Sequence, residues 1–251
     1  MSENYTANEA PQLFPTTRWT LLKRVRAGTE QEARQALDTL CRCYWKPIYC
    51  LARKRGLPSH DAQDAVQGFF ECLLRRELFS TAEESAGLLR QLLQHAFDRY
   101  CTQQWQKANR QKRGCGAEHI ELRNHFDIHS AEQSFLKSNA SHLSLDEVYN
   151  REWATALLQR SLEALREDYI KRGWKERYDI LVKSLLQQED AERLTALAEL
   201  TGTTASNLRV TLHRMRTHFR DKIEREVATT LDTDDPQLIQ QEIKELMKVF
   251  S

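Results

Sequence analysis

Residues 194–216, which read LTALAELTGTTASNLRVTLHRMR, carry the clearest structural pattern in this chain. Leucines recur at helical spacing in the first half, a Thr-Gly-Thr break follows at 201–203, and helical spacing resumes with Leu208 and Leu212 on the inner face. Two short helices joined by a glycine-containing turn make a helix-turn-helix. The stretch therefore predicts that layout near the C-terminus.

The second helix of this stretch, predicted over about 205–227, begins with small polar side chains and continues with basic ones. A helix that enters the major groove of DNA, about 12 Å wide, needs such a leading end to reach the base edges. The candidates for base contact are Thr204, Ser206, Asn207 and Arg209. The candidates for phosphate contact are His213, Arg214 and Arg216. The alternative is a helical hairpin whose arginines are merely solvated.

The composition of the whole chain favours helices. Its 251 residues include 33 Leu but only 7 Val and 8 Ile, with 8 Gly and 5 Pro. Leucine favours helix, whereas sheet proteins need β-branched residues in strands and Gly and Pro in turns. We therefore expect an all-α protein of one large or two small domains, and not a sandwich, a barrel or an α/β sheet.

The hydropathy pattern and the N-terminus predict a cytoplasmic protein with no membrane contact. No apolar run approaches the roughly 18–20 residues that cross a bilayer, and residues 1–10 lack the basic and apolar regions of a signal peptide. Cysteines in that compartment stay reduced. We expect no metal and no cofactor, because zinc ligands normally come in closely spaced pairs. The alternative is a metal site on Cys115, His119, His125 and His129.

Charge is unevenly distributed along a chain whose formal net charge is only +1. Residues 98–113 hold five bases and one acid, residues 206–225 hold six bases and two acids, and residues 226–251 hold six acids and two lysines. Two basic helices suggest two contacts with a polyanion, the alternative being solvated faces. The acidic tail either pairs with the basic C-terminal helix and keeps the free protein closed, or is a solvated terminal helix.

The periodicity predicts two small helical domains joined by a flexible linker. Residues 114–150 are rich in Ser, Asn and His and show no sustained periodicity, which is typical of a linker, either without regular structure or with one short helix. In the first half, a helix is predicted to begin after Thr17, and others are predicted over 30–43, 47–56, 60–76 and 88–113. In the second half, helical patterns resume at 151, and helices are predicted over 193–200, 205–227 and 237–250.

Two helices of the first half carry patterns that suggest binding. Residues 60–76, HDAQDAVQGFFECLLRR, combine acids, glutamines and aromatics. This fits either a protein-docking surface or an ordinary amphipathic helix with its aromatics in the core. Residues 88–113 interleave bases and amides with Tyr100 and Trp105. Such a pattern suits an unstacked nucleic-acid strand, because rings stack on bases and cations hold phosphates, although Trp105 could equally be core.

In their order and spacing these motifs resemble those of bacterial sigma factors of the extracytoplasmic-function type, over about residues 17–230. The Asp-Ala-Glu-Asp helix of that family is matched by Asp61-Ala62-Gln63-Asp64. Further similarities are Val66-Gln67, Phe69-Phe70, the −10 recognition loop (78–87), the helix that holds the melted strand (88–113), the −35 recognition helix (204–216) and the motifs at 16–19 and 111–114.

The resemblance implies an alternative sigma factor that docks on core RNA polymerase, at the clamp of the largest subunit and the flap, and binds promoter DNA. The implied segments are a disordered tail (1–16), a region 2-like domain for polymerase and the −10 element (17–113), a linker (114–150), a region 4-like helix-turn-helix domain for the −35 element (151–231) and an acidic extension (232–251). The implied polymerase contacts are Asp61, Gln63, Asp64, Gln67, Phe70 and Leu74. The implied contacts to the −10 element and the melted strand are Arg90, Arg99, Gln103, Trp105, Lys107, Asn109, Arg110, Lys112 and Arg113. The implied −35 contacts are Thr203, Thr204, Ser206, Asn207, Arg209, Val210, His213, Arg214 and Arg216.

Two other classes of function remain open. A stand-alone helix-turn-helix regulator would bind duplex DNA without polymerase, and a helical adaptor would present its basic helices to an acidic protein. An enzyme is not expected, because the chain shows no phosphate loop and no nucleophile–base motif. Under the sigma-factor hypothesis polymerase makes the bonds, the free chain is a monomer, and an anti-sigma factor or other regulator is a further candidate partner.

Overall fold

The computed structural model describes residues 24–25, 27–74, 89–110, 127–139, 142–185, 191–231 and 234–250. These residues form helices and turns, with no strand among them, which confirms the all-helical prediction for this part of the chain. The helices are α1 (Glu30–Lys54), α2 (Ser59–Leu74), α3 (Leu89–Arg110), α4 (Ile128–Asn139), α5 (Leu145–Lys171), α6 (Lys175–Leu181), α7 (Ala191–Leu200), α8 (Ala205–Leu231) and α9 (Pro236–Lys248), and α6 continues as a 3-10 turn, Val182–Ser184. The predicted tail 1–16, the loop 78–87, Lys112 and Arg113 lie outside the described residues.

Helix α1 is continuous, and the predicted break between residues 43 and 47 is wrong. Thr29 and Glu32 form a capping box at its N-terminus, and Pro47 lies inside the helix. An internal proline removes one backbone hydrogen bond and crowds the preceding turn. The helix continues because the residues around Pro47 are buried, including Tyr44, Ile48 and Leu51, so the burial of this apolar segment outweighs the local cost.

The first core is built around α1. This helix packs against α2, α3, α4 and α5. The α2–α3 contact is aromatic: the ring centre of Phe69 lies 5.3 Å from that of Phe97 and 5.9 Å from that of Tyr100, both in edge-to-face geometry. Gly68 faces the Tyr100 hydroxyl so closely that a Cβ atom on residue 68 would clash with it. A glycine in mid-helix, normally destabilising, is therefore what lets α2 and α3 approach.

The second core joins the C-terminal end of α5 to α6, α7 and the N-terminal half of α8. Its members include Leu165, Leu181, Leu194, Leu208 and Met215. Helices α5 and α8 also run into the first core, where the residues that they bury include Tyr149, Trp153, Leu157, Val227 and Leu231. Because two long helices are shared, the two cores are linked by continuous helical backbone.

Residues 127–139 and 142–150, predicted as part of a linker, include α4 and the start of α5, which pack on the first core. Helix α4 buries Ala131 and Phe135. Its Glu132 carboxylate accepts two hydrogen bonds from the Arg53 guanidinium, at 3.0 and 2.6 Å, and one from the Tyr49 hydroxyl at 2.6 Å. The hydrogen bonds from Arg53 hold the pKa of Glu132 below its ordinary value. This polar network fastens α4 to α1, and composition alone did not predict it.

Candidate nucleic-acid interface

The turn between α7 and α8 fixes where α8 begins. Gly202 adopts a left-handed conformation, with φ of +62°. The Thr203 amide donates to the Ala198 carbonyl at 2.9 Å and the Gly202 amide to the Glu199 carbonyl at 3.2 Å, which closes the end of α7. The Thr204 hydroxyl then accepts from the Asn207 amide at 3.2 Å, which caps the start of α8.

The N-terminal half of α8 has two distinct faces. Leu208, Leu212 and Met215 are buried in the second core. The predicted contact residues Thr204, Ser206, Asn207, Arg209, Val210, His213 and Arg214 are exposed, and Thr203 is half-buried. Val210 is 48% exposed although it is apolar. The outer face is therefore small, polar and cationic near the turn.

Arg216 differs from the other predicted −35 contacts. Its Nε and Nη2 atoms donate to the backbone carbonyls of Leu185 and Ser184, at 3.1 and 3.2 Å. These bonds satisfy carbonyl groups at the end of the 3-10 turn that α6 leads into. The side chain is half-buried in this position, so Arg216 fastens the turn to α8 and does not extend toward a ligand.

Helix α3 presents only some of its predicted contacts. Arg99 and Gln103 are exposed. Arg90 is not: its side chain is 13% exposed, it pairs with Glu242, and its guanidinium lies 4.6 Å from the ring centre of Trp153. Burial lowers the pKa of Arg90. Four more predicted contacts, Trp105, Lys107, Asn109 and Arg110, are on α3, but their side chains lie outside the described part.

The C-terminal helix α9 packs on the first core and against α8. Ile239 and Leu246 are buried in the first core, so α9 is not simply solvated. Its buried acid, Glu242, pairs with Arg90 of α3 and not with an arginine near the start of α8. On its outer side, the Gln240 amide donates to Glu224 of α8 at 2.7 Å. Helix α9 thus connects α3 with the C-terminal half of α8.

The predicted polymerase-docking helix, α2, exposes the two acids near its start and buries its aromatics and Glu71. The side chains of Asp61 and Asp64 are 64% and 62% exposed. Gln63 donates to the Ser59 hydroxyl at 3.3 Å, and Gln67 donates to Glu71 at 3.0 Å. Phe70 is fully buried, which agrees with the second interpretation of this helix and removes Phe70 from the docking face. The side chain of Leu74 lies outside the described part.

Sequence reasoning missed a basic and aromatic cluster at 172–177, RGWKER, next to α8. Its arginines and Trp174 lie beside Thr211, Arg214 and His218 of α8. This segment interleaves basic residues with an aromatic one, as α3 does. The same pattern could therefore have predicted it as a candidate nucleic-acid contact.

Compared with known proteins, the chain matches no family model, no curated protein and no solved structure. Within the described ranges, no three or more His, Cys, Asp and Glu side chains are placed to hold a metal ion. Burial raises the pKa of the Cys101 thiol to about 11, which disfavours its thiolate form at neutral pH. None of the described helices combines the length and the hydropathy that a membrane crossing requires.

Proposed function

We propose that this chain is an alternative sigma factor, which binds core RNA polymerase, recognises −35 and −10 promoter elements and promotes DNA melting. The observation that carries the proposal is the division of α8: one face is buried in the second core, while Ser206, Asn207 and Arg209 face solvent directly after a fixed turn. A helix that reads the major groove needs this division, because its inner face must be held while its N-terminal side chains reach base edges.

The proposed contacts to the melted strand come from α3. Arg99 and Gln103 are exposed on a helix whose other face is buried in the first core through Phe97 and Tyr100. In duplex DNA the bases are stacked and do not meet these side chains. Contacts that form only in the open state shift the equilibrium between closed and open DNA toward melting. The chain then needs no catalytic residue, since polymerase makes the bonds.

The proposed polymerase contact is the exposed acidic edge at the start of α2. Asp61 and Asp64 lie almost one turn apart on the same side of the helix. Gln63 is held by Ser59, which also lies 2.8 Å from the Tyr49 hydroxyl. The edge is therefore braced by the polar network that joins α1 and α4, and it suits a basic surface on the partner.

Retention of the full chain on immobilised core RNA polymerase, followed by RNA synthesis from a genomic promoter library, tests the proposal. We expect retention and new start sites. The double variant Asp61→Asn/Asp64→Asn should lose retention, because it removes both acids of the edge. The matched control is Glu163→Gln/Glu167→Gln, which removes two exposed acids one turn apart on α5 and should be retained normally.

Three results would contradict all or part of the proposed function. A DNA footprint that needs no polymerase and survives the α2 double variant would indicate a stand-alone regulator. The absence of any footprint, with or without polymerase, would indicate a protein-interaction adaptor. Normal retention of the α2 double variant would show that the acidic edge is not the docking site.

A further inference from the structure

A concave site lies beside α8, between the end of α5 and the start of α6. It has a volume of about 200 Å³. Its lining side chains are Tyr169, Arg172, Trp174, Arg177, Thr211, Arg214 and His218. The set combines three guanidinium groups with two aromatic rings, and it contains no carboxylate.

The backbone places Trp174 at the rim of this site. Gly173 is left-handed, with φ of +75°, and the Trp174 amide donates to the Tyr169 carbonyl at 2.8 Å, which ends α5. The Trp174 ring packs edge-to-face on Tyr169, at 6.2 Å between ring centres, yet it remains 46% exposed. The ring is therefore held in a fixed position with almost half of the residue's surface open to solvent.

The guanidinium groups are held around the ring. Arg172 and Arg177 lie 5.7 and 5.9 Å from the centre of the Trp174 ring, and Arg177 donates to the Thr211 hydroxyl of α8 at 2.9 Å. Within the described residues no ion pair joins Arg172, Arg177 or Arg214 to a carboxylate. The nearby Asp168 is paired with Lys222 at 2.6 Å. The charge of Arg172 also helps to lower the pKa of Asp168 after the stronger effect of Lys222, so this acid offsets part of it. Among the described residues, the three guanidinium groups still leave the lining of the site with a net positive charge.

We propose that this site binds backbone phosphates of duplex DNA, at the edge of the groove that α8 enters. The proposal rests on the proposed function, because it takes the start of α8 as the end that contacts bases. From Asn207 to Arg214 is seven residues, or about 10 Å along a helix, and the major groove is about 12 Å wide. Side chains at Arg214 and beyond thus reach the level of the phosphates when the start of α8 reaches the bases. Arginine forks suit phosphate oxygens.

Fluorescence anisotropy with the full chain and a labelled 20-base-pair duplex of random sequence tests the proposal. Affinity is measured at several salt concentrations. Log K falls as log salt rises, and each phosphate contact that is lost makes that slope shallower by about 0.9. The double variant Arg172→Ala/Arg177→Ala should make that slope shallower by about 2 and weaken binding to every sequence alike. The matched control is Arg34→Ala/Arg42→Ala, which removes two exposed arginines from α1 and should change the slope far less.

Several outcomes overturn the proposal. The proposal fails if the wild-type chain does not bind the duplex at 50 mM salt, or if the Arg172/Arg177 variant keeps the wild-type slope. It also fails if the slope becomes equally shallow in the α1 control. A 20-nucleotide single strand that binds more tightly than the duplex, and loses binding in Trp174→Ala, would reassign the site to unpaired bases. Retention of the wild-type chain on core RNA polymerase is measured separately. If the chain is retained but the Arg172/Arg177 variant has the wild-type slope, only the phosphate site is refuted. If the variant has a shallower slope but the wild-type chain is not retained, only the sigma-factor proposal is refuted.

Discussion

Replacement of Glu242 by alanine tests whether a buried ion pair fastens α9 to the first core. The Glu242 side chain is 8% exposed and that of its partner Arg90 is 13% exposed, so the variant leaves a guanidinium group with little access to water. Removal of one partner from a buried pair costs about 3–5 kcal/mol. Glu245, almost one turn further along α9, also attracts the Arg90 charge and would offset part of this loss of stability. We therefore expect the free energy of unfolding to fall by about 3 kcal/mol.

Urea unfolding followed by circular dichroism measures this loss. The control is Lys248→Ala on the same helix, which breaks an exposed pair with Glu245 and should cost less than about 1 kcal/mol. The double variant Arg90→Met/Glu242→Leu should be close to the wild type, because apolar residues of similar volume replace a buried pair at little net cost. An alanine variant within 0.5 kcal/mol of the wild type would refute the argument that the pair is buried and fastens α9.

Three further predictions concern other contacts. Gly68→Ala should destabilise the protein by about 1–3 kcal/mol through overpacking, and Tyr100→Phe in the same chain should restore part of the loss, as measured by urea unfolding. The pKa of Glu132 is lowered in the folded state by its bonds to Arg53, so its contribution is present above the unfolded pKa of about 4.5 and is lost as pH falls through the lower folded value. Unfolding measured from pH 7 to pH 3 should show this loss in the wild type and not in Glu132→Gln. Arg209→Ala should weaken use of promoters with the preferred −35 sequence by about 1–3 kcal/mol, whereas an equal loss on all promoters in transcription assays would indicate a backbone contact.

The helices and their ends were the most predictable part of the structure. Apolar residues at helical spacing predicted α2, α3, α7 and α8 at close to their observed bounds, because amphipathic periodicity is a local property. The break at 201–203 was also predicted from local sequence, and Gly202 is left-handed there. The cap at Thr204 was not predicted, because its polar side chain at the start of a basic helix suggested base contact instead. The start of α5 also carried a local signal, the Ser144–Glu147 capping box, which the polar composition around it obscured.

The positions of the charged side chains were much less predictable. Arg90, Arg99 and Arg216 look alike in the sequence, yet one is buried against Glu242, one faces solvent and one donates to carbonyl groups of a distant turn. A long cationic side chain can serve any of these roles, and its choice depends on which acid or carbonyl the fold brings near. The position of an apolar residue, Phe70, was equally open. The sequence pattern allowed it either to contact a partner or to fill the core, and in the structure it lies in the core.

Although α4 lies in a segment predicted as a linker, the local sequence pattern was enough to place α2, α3, α7 and α8, their ends and their apolar faces. These follow from interactions within three or four residues along the chain. Three features became visible only in the packed structure: α1 continues through Pro47, α4 and α9 pack on the first core, and a basic site forms beside α8. Each of these depends on burial or pairing between residues far apart in sequence, whose free energy exists only once the helices have packed together.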